Sequence, residues 1–85
     1  MHRTMIRCEL HDYIEIACTF RYPVRLTMRT GEVLDGVAVD TRRDAQGEEC
    51  IAIHVDGAEC LVVLDKLASM KAGVQNPHFD TVSFG

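Results

Sequence analysis

The hydrophobic pattern changes period at Pro23. Before it, in ELHDYIEIACTF, Leu10, Tyr13, Ile14, Ala17 and Cys18 fall within one half of a helical wheel. Glu9, Asp12 and Glu15 step three at a time along the opposite side, with Ile16 beside them. The pattern predicts an amphipathic helix over residues 9–20 carrying an acidic stripe, and acids in its first turns suit the helix dipole. Pro23 ends the helix, and the residue before a proline is biased toward extended backbone.

After Pro23 the period becomes two. Val24, Leu26 and Met28 alternate with Arg25, Thr27 and Arg29, giving one apolar and one basic or polar face. Thr30-Gly31 reads as a turn, and EVLDGVAVDTRR as a strand whose Gly36 marks a bulge or sharp bend. A polar loop over 44–47 leads to EECIAIHV, with Ile51, Ile53 and Val55 on one face and Cys50, Ala52 and His54 on the other. Asp56-Gly57 is a two-residue hairpin signal. The return strand AECLVVL is apolar on both faces, as a central strand is, and LASMK follows the turn at Leu64-Asp65-Lys66. The expected architecture is α+β, mainly β: an N-terminal helix and a small, strongly bent, five-stranded antiparallel barrel of the Sm or SH3-like kind. A single domain is expected, with a tail at 1–7, the barrel at 24–71 and a loop-like tail at 72–85. In that last tail Phe79, Val82 and Phe84 are placed to dock weakly.

Composition narrows the function. The 85 residues include no Trp and five Phe and Tyr, so the core is mainly aliphatic. Nine Lys and Arg against thirteen Asp and Glu give a net charge of −4, the wrong sign for a typical nucleic-acid binder. No run approaches the ~20 apolar residues of a membrane span, and the N-terminal stretch does not read as a signal peptide. A cytoplasmic protein is expected.

Chemistry is sparse. Cys8, Cys18, Cys50 and Cys60 lack the close C-x2-4-C knuckles of structural zinc and read as buried free thiols. Ser69 and Ser83 sit in no nucleophile motif, His11 and His54 read as surface histidines, and there is no phosphate-binding glycine loop. Neither an enzyme nor a cofactor or metal site is expected. Arg25, Arg29 and Arg42 could serve an Sm-like RNA-binding module, though Glu32 and Asp35 lie among them.

From Ile6 to about Met70 the chain resembles the bacterial Rof/YaeO family, small inhibitors of the transcription termination factor Rho. The matching pieces are I-x-C at Ile6 and Cys8, the acidic helix closing on E-I-A-C at Glu15 to Cys18, and T-G-E at Thr30 to Glu32. They continue with A-x-D at Ala38 and Asp40, the pair Glu48 and Glu49, and L-D-K at Leu64 to Lys66. Leu10, His11 and Val63 depart from the family pattern. The resemblance implies a helix on an Sm-like barrel, binding near Rho's RNA-binding site, and relief of Rho-dependent termination by blocking RNA loading. It implies a partner face of Glu9, Asp12, Glu15, Ile16, Glu48 and Glu49 on a protein that is a monomer when free. Such a protein competes with RNA without binding it strongly.

Overall fold

The computed structural model describes residues 8–84, with side chains from Leu10 onward. Helix α1 (Cys8–Thr19) precedes six strands: β1 (Pro23–Met28), β2 (Val33–Arg43), β3 (Glu49–Val55), β4 (Ala58–Val63), β5 (Leu67–Ala72) and β6 (Thr81–Ser83). A 3-10 turn at Leu64–Lys66 joins β4 to β5. The tail at 1–7 lies outside the described residues.

The end of α1 is built by backbone geometry. The Tyr22 amide donates to the Ala17 carbonyl at 2.9 Å and the Arg21 amide to the Cys18 carbonyl at 3.2 Å. This is a Schellman closure, and it needs a left-handed residue, here Arg21 at φ 54° rather than the usual glycine. The turn reverses the chain directly into β1.

All strand pairings are antiparallel, in the order β4-β3-β2-β1-β5-β6. Strand β2 organises the bend. Its first half, Val33 to Val37, pairs with β1, and its second half, from Val37 to Arg43, pairs with β3, so the two ladders overlap only at Val37. Beside that overlap, a Cβ on Gly36 would lie 2.7 Å from the His54 carbonyl oxygen. Gly36 therefore marks a close backbone approach. The expected bulge lies beyond it, where the β2–β3 register shifts between Ala38 and Asp40, and a second shift falls between Thr27 and Met28.

The helix-first, mainly β architecture is as the sequence implies, with three corrections. The sheet has six strands rather than five, because Thr81–Ser83 pairs with β5 and buries Val82 and Phe84. The sheet is curled but open: among the described residues no ladder joins β4 to β5 or β6. The three-residue crossing from β4 to β5 shows how far it curls, since those strands stand four places apart in the sheet order. Finally, β4 is an edge and β3 is interior. Cys50, Ile51, Ala52 and Ile53 are all buried, whereas Leu61 on β4 is exposed. The Asp56-Gly57 hairpin forms as read, with both residues at positive φ, 52° and 84°.

The core lies between α1 and the inner face of the sheet. Ile14, Ala17 and Cys18 meet Val24, Leu26, Ala38, Ile51, Ile53, Leu67 and Met70, with Val82 and Phe84 completing it. Arg29 reinforces the last strand, its Nε donating to the Asp65 carbonyl at 2.8 Å and its Nη2 to the Phe84 carbonyl at 3.4 Å.

Two substitutions test this account. Gly36→Ala forces a methyl against the His54 carbonyl and is expected to destabilise by about 1–3 kcal/mol in urea denaturation. Arg21→Gly removes left-handed strain at the helix terminus, against the greater backbone freedom of glycine in the unfolded chain. It is expected to stabilise by about 0.5–1 kcal/mol, read as a higher Tm.

Candidate partner-docking face

Because one side of α1 is consumed by the core, the other is committed to solvent. Asp12 and Glu15 stand one turn apart on that side and both are exposed, with Ile16 half-buried beside them. Among the described residues neither carboxylate takes part in an ion pair or side-chain hydrogen bond. Glu9 belongs to the first turn of α1, and its side chain lies outside the described part of the structure.

The loop between β2 and β3 brings a second group of acids toward the helix. The Asp44 carboxylate accepts from the Gln46 and Glu48 amides at 2.9 and 3.0 Å, and Gly47 takes positive φ to close the turn. Glu49, at the start of β3, reaches His11 of α1 at 3.4 Å and Arg43 at 3.6 Å. His11, Glu15, Arg42, Arg43 and Glu49 line one groove of about 300 Å³ whose floor includes Ile14, Cys50 and Leu64. Of the sequence-predicted residues, the structure thus brings Glu15 and Glu49 together. Glu48 is exposed on the approach to β3, and neither it nor Asp12 lines that groove.

The cations named for RNA binding are already engaged. Arg25 makes a two-pronged contact with Asp35, Nε to Oδ1 at 2.8 Å and Nη2 to Oδ2 at 3.2 Å. That pair holds the Asp35 carboxyl below its ordinary pKa and the Arg25 guanidinium above its own. Arg29 is turned to backbone carbonyls, and Arg42 pairs with Glu59 and approaches Asp40 at 3.8 Å. A larger groove, about 470 Å³, runs over the Arg25–Asp35 pair and His54 and includes no residue of α1.

Of the thiols, Cys18 and Cys50 are free and buried and Cys60 is free and half-buried, while the Cys8 side chain lies outside the described residues. Burial, assisted by the Asp40 and Glu15 charges, pushes Cys18 up to about 11, and burial also raises Cys50. Among the described residues, no three His, Cys, Asp or Glu side chains cluster to hold a metal ion, and no helix is long and apolar enough to cross a membrane.

A family model for modulators of Rho-dependent transcription termination, ROF, matches residues 5–84. The chain belongs to the ROF family. A solved structure of YaeO bound to magnesium, from Vibrio cholerae O395, shares 49% sequence identity and superposes with a TM-score of 0.84. The match covers 87% of this chain and 96% of that one. No curated protein sequence matches the chain. As an ROF-family protein it is a modulator of Rho-dependent transcription termination.

Sequence reasoning missed one feature of that surface. Phe20, Tyr22 and His78 stack with nearly parallel rings at the end of α1. The available signal was that Phe20 follows Ile16 by four residues, which puts both on one flank of the acidic stripe.

The thiol shift gives a test with a definite sign. Folded Cys18 keeps a proton that the unfolded chain releases near pH 9, so its contribution to stability is complete below pH 9 and lost as pH rises toward about 11. Between those limits, the Tm of the wild type is expected to fall more steeply with pH than that of Cys18→Ala. Equal slopes would show that the thiol is not desolvated.

Proposed function

We propose that this ROF-family protein is a non-enzymatic, cytoplasmic, single-domain antiterminator that binds Rho directly as a monomer. The exposed face of α1 docks near Rho's RNA-binding site, blocks RNA loading and so reduces Rho-dependent termination. Asp12 and Glu15 are its centre, Ile16 supplies apolar contact beside them, and Glu9, Glu48 and Glu49 extend it.

The observation that carries this reading is that the Asp12 and Glu15 carboxylates are exposed and uncommitted among the described residues. A cleft built to hold single-stranded RNA is lined with cations, and an acidic face complements it in charge. Such complementarity steers encounter and fixes orientation, and it is screened beyond about 8 Å at physiological salt. The alternative, RNA binding through Arg25, Arg29 and Arg42, would require breaking contacts that these side chains already make.

The test is Asp12→Asn combined with Glu15→Gln in a Rho–RNA competition assay. Inhibition is expected to weaken by about tenfold at low salt, roughly 1.4 kcal/mol and below the ~2–5 kcal/mol of a fully desolvated pair, because solvent-facing charges act mainly through screened attraction. The weakening should shrink as salt is raised. A folded double variant that inhibits as well as wild type would remove the helix from the mechanism, and salt-sensitive RNA binding without Rho would favour the alternative.

A further inference from the structure

The end of α1 presents an aromatic column beside the acids. The Phe20 amide still donates to the Ile16 carbonyl at 3.1 Å, so Phe20 continues the helical path. Its ring stacks with those of Tyr22 and His78, with centroids 5.6 and 5.3 Å away and an interplanar angle of 19° in each pair. Phe20 is nevertheless 54% exposed, more than any other large apolar side chain described.

The column is held from both directions. Phe79 packs edge-on to Tyr13 at 5.6 Å and against Tyr22 at 6.1 Å, anchoring it to the helix. On the outer side, Asn76 Oδ1 accepts from the His78 and Phe79 amides at 2.8 and 3.1 Å, while its Nδ2 donates to the Val74 and Phe79 carbonyls at 3.0 Å. These bonds order the backbone that carries His78 and Phe79 beside the helix end. On the helical wheel Phe20 lies about 80° from Asp12 with Ile16 between them, and the two are about 12 Å apart along the axis.

Resting on the Rho-docking reading above, we infer that the Phe20–His78 column is the base-mimicking half of the docking face. Clefts for single-stranded RNA combine cations that follow the phosphates with aromatic side chains on which bases stack. This face offers the two matching parts side by side. Asp12 and Glu15 stand in for phosphates, and the parallel rings of Phe20, His78 and Tyr22 stand in for stacked bases. The occupant is thus the RNA cleft of Rho, engaged through its stacking surfaces as well as its charges.

The experiment measures Rho affinity for wild type, Phe20→Ala, His78→Ala and Phe20→Tyr at low and high salt, with Tm measured on each variant. Phe20→Ala and His78→Ala are expected to bind about tenfold more weakly at both salts, the scale of one lost stacking contact. Phe20→Tyr keeps the ring and is expected to retain wild-type affinity. Asp12→Asn/Glu15→Gln is expected to lose affinity mainly at low salt, which separates the two halves of the face. Wild-type affinity in folded Phe20→Ala and His78→Ala overturns the column's role and leaves the acidic docking intact. Failure of the wild type to bind Rho at all removes both readings. Binding of a single-stranded RNA probe that depends on Phe20 overturns the mimicry in favour of direct stacking on RNA.

Discussion

The structure depends on the closure of a curled sheet by one face of one helix. With no Trp in the chain, the inner face of the sheet is filled by aliphatic side chains of modest size. Left open to water, that face would lose about 25 cal/mol for each Å² of apolar surface exposed. Helix α1 covers it with Ile14, Ala17 and Cys18, all buried, and the small side chain of Ala17 leaves room for close approach. The same closure fixes the outward side of the helix. Residues at the positions of Asp12 and Glu15 cannot turn inward without lifting the stripe that seals the core, so packing and surface display are two sides of one element.

The bend that makes this closure possible is a property of β2. Two ladders that meet only at Val37 let the sheet change direction there, and Gly36 allows the backbones to approach where a Cβ would collide. Curling then brings β4 and β5 near enough to be joined by three residues, without pairing them. An open sheet has two edges that need managing. On one side β6 covers β5 and is held by its own ladder and by Arg29 reaching the Phe84 carbonyl. On the other, Glu59 of β4 is tied back to Arg42 of β2, placing a charged side chain along the exposed strand.

Local period and turn chemistry made much of this legible. The helix followed from Leu10, Tyr13, Ile14, Ala17 and Cys18, β1 from its clean alternation, and the β3–β4 hairpin from Asp56-Gly57. The order of strands did not follow, because apolar residues on both faces describe an interior strand and also an edge strand with an exposed leucine. Leu61 and Ala52 are opposite each other across the β3–β4 ladder, yet only Ala52 is buried. Strand β6 escaped notice because three residues carry no period, and its pairing is made across a loop. The acidic stripe was legible for the same reason as the helix. The aromatic column was not, since it joins residues 20 and 22 to residues 78 and 79, and only the fold brings those together.

Charge shows why counting is a weaker guide than placement. A balance of −4 could be spread evenly over the surface, in which case it would say little about a partner. Instead, several cations of the sheet are occupied by neighbours. Arg25 is held by Asp35, Arg42 by Glu59 and Asp40, Arg43 by Glu49 and the Gly47 carbonyl, and Arg29 by two backbone oxygens. These contacts are exposed, and each adds little stability. Their effect is on recognition, because a guanidinium already facing a carboxylate offers a phosphate less, while the acids of α1 have no such internal partner among the described residues. What bears on recognition is placement: among the described residues Asp12 and Glu15 stand exposed on α1 with no ion pair, whereas Arg25, Arg29, Arg42 and Arg43 are engaged by neighbours.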